Sequence, residues 1–313
     1  MSHPTQTKDW KSILIRSQIQ CVEHTSNDGR YFLIKIENYR NVVKMADLSM
    51  CENLYVEDLR EILKILPKGI AHLHIEPNID KEVLPDKTSI IDGKPVILSF
   101  YHNYYHYTSR IDLELDEGQI YSNFSSSNKN NYNKAKKVYT LETNSESNEI
   151  ELNLVEKFFD SYSSSKNQSF KGHELEFFVN LAKSASRSFI FNVLNDTKVI
   201  CSAWLIVSGN TAYYIYGGKM KFEPVKGSSV FLHFEIMKFL KSLNVKYYDL
   251  CGIIGRDLIP DPTWDGFTKF KLSLGGSEEQ LDPGVDIILN KRKYLFFKLT
   301  RSVAKLAKRN SNL

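Results

Sequence analysis

What the sequence withholds narrows its role. Its four cysteines, Cys21, Cys51, Cys201 and Cys251, are scattered with no CxxC pair, so neither a disulfide framework nor a cysteine-rich zinc site is indicated. Reduced, mostly buried thiols are expected. No apolar run reaches the ~18–20 residues of a membrane span, and the opening MSHPTQTKDW has no apolar signal core, so a cytoplasmic protein is expected. Acidic residues vanish near the end. After Asp286 there is no Asp or Glu, while Lys291, Arg292, Lys293, Lys298, Arg301, Lys305, Lys308 and Arg309 supply eight positive charges. The formal net charge is +4, so removing that +8 leaves residues 1–286 at about −4: a mildly acidic body with a strongly basic tail.

At 313 residues and 42% hydrophobic content the chain can build two domains with ordinary cores. Trp10 to Ile15 fits either a helix end or a strand. Residues 31–36 alternate as a strand, 55–66 carry apolar residues at helical spacing, and 71–75 read as a buried strand ending at Glu76-Pro77. Around residues 100–107, His102 and His106 stand four apart. Their tyrosine-rich setting and the following RIDLEL read as strand rather than as a helical metal site, so no metal is expected. By composition, residues 122–150, rich in Ser, Asn and Lys, read as linker or disorder.

Beyond it, helices at 154–162 and 174–183 precede strands at 188–194, 199–207 and 211–216, a helix at 228–240 and a strand from Tyr247. This order resembles that of acetyltransferase-like (GNAT) folds. Gly266 to Leu274 fits a further strand or a short helix end, and residues 294–307 fit an amphipathic helix. Ordinary GNAT enzymes hold the pyrophosphate of coenzyme A on a glycine-rich turn at a helix N terminus, where unpaired backbone N–H groups bind anions. The turn here is Lys226-Gly227-Ser228-Ser229, which lacks their Q/R-x-x-G-x-G/A pattern. An acyl donor held another way is expected.

Several segments together carry a more specific resemblance. YDLCGI followed after a loop by GFTKFKLSLGG, PTQTKDW near the start, HLHIEP at 72–77, RIDLEL with the later NKAKK, and TAYYIYGG at 211–218 stand in the order seen in Fem-type (FemABX) peptidoglycan bridge aminoacyltransferases. The resemblance implies an α/β (α+β) protein of two GNAT-like domains, with mixed sheets flanked by helices. Residues 1–138, completed by 277–313, would form domain one, and 139–276 would form domain two. It implies aminoacyl transfer from aminoacyl-tRNA to an amine of a peptidoglycan precursor stem peptide or bridge, with no cofactor.

Residue by residue, Lys271 matches the family lysine that stabilises the reaction's charge, and Phe270 precedes it. Glu76 matches an acidic substrate-binding position and Tyr216 a tyrosine lining the site. Two departures concern phosphate binding. Leu14 occupies the expected place of a lysine, for which Lys11 or Arg16 is the substitute, and His173 occupies the place of an arginine, with Lys171 two residues earlier. A further family arginine near residues 128–137, where the resemblance implies a basic helix, is replaced by Asn130, Asn131 and Asn133.

The implied partners are aminoacyl-tRNA and a nucleotide- or lipid-linked precursor, with peripheral contact to the inner face of the membrane, on a monomer. The alternatives are a GNAT-type acyltransferase acting on a cell-envelope polysaccharide or glycolipid intermediate, and a catalytically inactive relative that binds tRNA or membrane.

Overall fold

The computed structural model describes residues 3–77, 89–145, 149–165, 173–255 and 262–310, with the backbone alone at 262–263 and 304–310. The chain forms two compact units. One, the terminal unit, joins residues up to 104 with those from 281 onward, and the other, the central unit, is residues 105–280.

The terminal unit begins with α1 (Lys8–Arg16), whose N terminus is capped by the Thr7 hydroxyl accepting from Trp10 N–H. Strands β1 (Cys21–Thr25), β2 (Tyr31–Tyr39) and β3 (Val43–Cys51) form an antiparallel meander. The buried Gln6 side chain ties β2 to β3 by donating to the Leu33 and Ser49 carbonyls and accepting from Leu33 N–H. Helix α2 (Val56–Ile65) buries Leu59 and Ile62 and crosses over to β4 (Ile70–Pro77), which runs parallel to β3. After β5 (Ile90–Ile91) and β6 (Lys94–Leu98) the chain enters the other unit.

The central unit opens with β7 (Tyr107–Asp112), α3 (Glu117–Ser122), α4 (Ser126–Ala135) and β8 (Thr140–Thr143). It continues with α5 (Leu152–Ser165), α6 (Leu175–Ser184), and the antiparallel strands β9 (Ser188–Asn195), β10 (Lys198–Ser208) and β11 (Thr211–Lys219). Helix α7 (Ser228–Ser242) leads to β12 (Tyr247–Ile253), parallel to β11, followed by α8 (Pro262–Ser273) and β13 (Ser277–Gln280). The chain then returns to the terminal unit as β14 (Val285–Ile288) and α9 (Lys291–Asn310).

Each unit thus holds a seven-stranded mixed sheet, ordered β1-β2-β3-β4-β14-β6-β5 in the terminal unit and β13-β7-β12-β11-β10-β9-β8 in the central one. This is the architecture of two GNAT-like lobes. The observed division at 104/105 differs from the expected boundary at 138/139. Strand β7 pairs with β12 and β13, and Tyr121, Phe124 and Tyr132 of α3–α4 pack on Phe231 and Phe234 of α7, which puts 105–138 in the central core.

The two faces of the terminal sheet differ in chemistry. Side chains alternate along strands, so paired residues on neighbouring strands share a face. One face carries Ala46, Leu48, Leu73, Ile75, Val285 and Ile287, packed with Leu59 and Ile62 of α2. The other carries Asp47, Ser49, His72, His74, Glu76 and Asp286, all buried. Tyr294 and Phe297 of α9 meet this second face, both against the His72 ring, and Tyr294 donates to Asp286 (2.7 Å).

Candidate functional site

The parallel pair at the heart of the central sheet comes apart. Strands β11 and β12 pair only at Thr211, Ala212 and Tyr213 with Tyr247, Tyr248 and Asp249, although both strands run on. Just beyond, β12 bulges against β7 between Asp249 and Gly252, and Cys251 takes a left-handed conformation (φ 59°). A bulge re-aims side chains and backbone locally. It is held by the buried Asp249 carboxylate, which accepts from Cys251 N–H (2.7 Å) and the Thr108 hydroxyl and lies 3.7 Å from the Arg110 guanidinium. Burial nevertheless pushes the Asp249 pKa upward. Gly252 is required here, because a Cβ would come within 2.9 Å of Tyr105 Cβ.

Lys271 reaches into this bulge from α8. Its ammonium donates to the Gly252 carbonyl (2.7 Å) and to the Cys251 carbonyl (3.3 Å). Desolvation lowers its pKa, opposed by Cys251 and Asp249. The hydroxyl of Thr268, on the same helix, accepts from Ile254 N–H (3.0 Å), which fixes α8 against the end of β12. Phe270 packs beside the buried ring of His233, whose Nδ1 is 2.9 Å from the Tyr248 hydroxyl. Burial, helped by the Lys271 charge, pushes His233 down to about 3, so that ring is neutral. The Cys251 thiol is pushed up to about 12 by burial and by Asp249.

Tyr216 stands on β11 beyond the paired segment. Its hydroxyl lies 3.2 Å from His173 Nε2, and the His173 ring stacks on Phe177 at 3.7 Å. These two expected site residues are therefore neighbours, as are Phe270 and Lys271. Lys171 lies outside the described residues.

The other expected residues belong to the terminal unit. Lys11 pairs with Glu23 (2.7 Å) at the surface, an exposed contact of small energetic weight, while Arg16 is exposed and Leu14 buried. Glu76 is buried and accepts from Asn103 N–H (3.0 Å) and Tyr104 N–H (2.9 Å), with His102 Nδ1 at 3.0 Å and His74 Nε2 at 3.2 Å. Burial alone would raise its pKa. The neighbouring His102 and His74 rings, the His74 charge and the Asn103 N–H outweigh burial and bring it to about 2. His102 is the outward end of this network, its side chain 26% exposed.

Two features escaped the sequence reading. Glu223 stands five residues before the first residue of α7, and its Oε1 accepts from Gly227 N–H (3.0 Å), Ser228 N–H (2.8 Å) and the Ser228 hydroxyl (2.6 Å). Lys219 neutralises the other oxygen (2.7 Å). The Gly227 and Ser228 N–H groups at the N terminus of α7 are thus taken by the protein's own carboxylate. The second feature is His74, flanked by Asp286 and Glu76. Its place two residues before Glu76 on an alternating strand was the one available signal.

The fold and this geometry define a two-lobed GNAT-like protein. No known protein-family profile matches the sequence, and neither does any curated protein sequence. Among solved structures, FemX is similar at TM-score 0.74 and 14% identity, covering 93% of this chain and 94% of its own. L-PGS from Bacillus licheniformis gives TM-score 0.56 at 10% identity, covering 97% and 98%. A conserved protein of unknown function from Bacteroides thetaiotaomicron gives 0.57 at 11%, covering 89% and 88%. These likenesses extend over nearly the whole chain and establish the shared fold.

Proposed function

We propose that this protein is an aminoacyltransferase of the Fem type, moving an amino acid from aminoacyl-tRNA to an amine of a peptidoglycan precursor stem peptide or bridge. The observation that carries this reading is Glu223 at the N terminus of α7. A pyrophosphate placed there would meet a fixed carboxylate that already holds the Gly227 and Ser228 N–H donors. In the central lobe Glu223 therefore stands against a coenzyme A pyrophosphate at this turn. The acyl donor is then held through other contacts, as an aminoacyl-tRNA ester would be. The likeness to FemX supports the same reading.

The chemistry asks little of the protein. The acceptor amine attacks an ester carbonyl already activated by the ribose, a tetrahedral oxyanion forms, and collapse expels the ribose hydroxyl, which takes up the proton the amine loses. No covalent enzyme intermediate is required, and a Cys251 thiol held at about 12 is not a nucleophile at neutral pH. Lys271 has three N–H donors, two of which point at the Gly252 and Cys251 carbonyls. The third is assigned to the oxyanion. Phe270, Tyr216, His173 and Lys171 of the central unit and Glu76 and Lys11 of the terminal unit are assigned to substrate binding, with Glu76 acting through His102. The protein acts in the cytoplasm, on a nucleotide- or lipid-linked precursor.

The second reading is a GNAT-type acyltransferase acting on a polysaccharide or glycolipid intermediate of the envelope. Incubating the protein with labelled aminoacyl-tRNA or with acetyl-CoA, against a muropeptide precursor and against envelope polysaccharide and glycolipid, and weighing the products, separates the two. Aminoacylated precursor is expected, and acetylated product alone would move the assignment to the second reading.

A further inference from the structure

Helix α9 is apolar on two opposite sides. Its inner side is fixed to the terminal unit: Tyr294 (4% exposed) is bonded to Asp286, and Phe297 (0%) is packed among Val43, Met45, Ala71 and Tyr101. Arg301 lies over the Tyr101 ring (4.2 Å) and Lys298 over Phe100 (5.5 Å), pinning the helix further. At 100° per residue, Leu295, Leu299 and Val303 form a stripe on the opposite side, with Phe296 beside them. Their exposures are 47%, 66%, 64% and 45%. Isolated exposed apolar residues need no explanation. Four on one face of a helix whose other face is already buried make a patch that calls for a partner.

The surroundings say which partner. Lys291 and Arg292 are exposed at the start of the helix, Lys293 donates to the Gly69 carbonyl (3.2 Å) next to an exposed Lys68, and no acidic residue follows Asp286. Nucleic acid offers phosphate to the cations but no aliphatic seat for the stripe. A second copy of the chain offers apolar surface but sets one acid-free tail against another. The interface of an anionic bilayer supplies both requirements within the width of one helix.

We propose that α9 docks the protein on anionic membrane, with Leu295, Phe296, Leu299 and Val303 entering the headgroup boundary and Lys291 and Arg292 meeting lipid phosphates. This does not depend on the reaction assigned above, and its test reads no activity.

The full chain should co-sediment with vesicles of mixed phosphatidylglycerol and phosphatidylcholine and not with phosphatidylcholine alone. Changing the stripe to serine (Leu295→Ser, Phe296→Ser, Leu299→Ser, Val303→Ser) should lower partitioning by ~10-fold or more, with far-UV spectrum and melting temperature unchanged. Lys291→Gln with Arg292→Gln should reduce the preference for anionic lipid, most clearly at low salt and least at physiological salt, where the Debye length is ~8 Å. Three results would overturn the proposal. They are parent protein that ignores anionic vesicles, a stripe variant that binds them as the parent does, and a stripe variant that loses only self-association or only tRNA retention.

Discussion

The buried ion network of the terminal unit ties its stability to alkaline pH through a single proton. Burial works against a charged His74, but its hydrogen bond to Asp286 (2.7 Å) and the Glu76 carboxylate 3.2 Å from its Nε2 outweigh it and hold its pKa at about 9, above the ordinary 6.5. Between those two values the folded unit keeps a proton that the unfolded chain has released. The contribution is therefore complete below pH 6.5 and falls as pH rises through about 9. The slope is about 1.4 kcal/mol per pH unit, or about 3 kcal/mol in all.

Neighbouring groups leave this window clear. Glu76, held at about 2, contributes stability present above 4.5 and lost only in acid. Asp47, pushed up to about 6 by burial, titrates below it. His74→Gln removes the cation and leaves Asp286 and Glu76 buried and unneutralised, at an expected cost of ~3–5 kcal/mol near neutrality. The alkaline slope should vanish with it. Pulse proteolysis in urea across the window, with fragments identified by mass so that the terminal unit is read separately, measures both effects. A parent whose unfolding free energy stays flat across the window, or a His74→Gln protein that keeps the parental slope, refutes a charged His74.

Lys271→Ala should lower turnover by ~10²–10³-fold and cost ~1–3 kcal/mol of stability, because two β12 carbonyls lose their donor. Turnover equal to the parent's under saturating substrate would remove Lys271 from the chemistry. Coenzyme A and its thioesters should leave the melting temperature unmoved at millimolar concentration, although a ligand at ~100 Kd would add about 2.7 kcal/mol; a clear shift would show that Glu223 does not close the α7 terminus. In the central unit, burial holds His233 at about 3, so the stability it contributes is complete above 6.5 and is lost as pH falls toward 3. His233→Gln should flatten that acid limb in the same proteolysis assay, and an unaltered limb would assign it to other groups.

Local pattern made some elements legible and tertiary anchoring hid others. The spacing of Leu59 and Ile62, and of Val230, Phe231, Phe234 and Met237, gives α2 and α7 because each series forms a face that is buried. The stretch from Gly266 to Leu274 fitted strand and helix alike. The helix prevails, with Asp265 and Lys269 paired one turn apart (2.6 Å) and Thr268 turned inward. Residues 100–107 read as strand from their tyrosines, yet 100–106 form a loop and the strand begins only at Tyr107, because Glu76 takes the Asn103 and Tyr104 N–H groups that a strand neighbour would have taken. The polar composition of 122–150 suggested a linker. It conceals α4, close to the basic helix that the resemblance implied at 128–137, with Asn128, Tyr132 and Ala135 buried and Asn130, Asn133 and Lys134 exposed.

The candidate site was legible only in part, and the unread part follows from how the two lobes diverge from one plan. In the terminal lobe β3 and β4 stay paired from Lys44–Ile70 to Cys51–Pro77. In the central lobe the equivalent pair, β11 and β12, separates after three residues. Nothing in YYDLCGI announces a left-handed Cys251, since β-bulges are set by the neighbouring strand. Likewise nothing in FEPVKGSS announces that Glu223 turns back onto the helix that follows. Both features depend on close approach within the folded lobe, through Tyr105 against Gly252 and the Asn131 backbone against Gly227. A sequence can show that a phosphate-binding pattern is missing. Only the folded lobe shows that a carboxylate, Glu223, takes the Gly227 and Ser228 N–H groups at that turn.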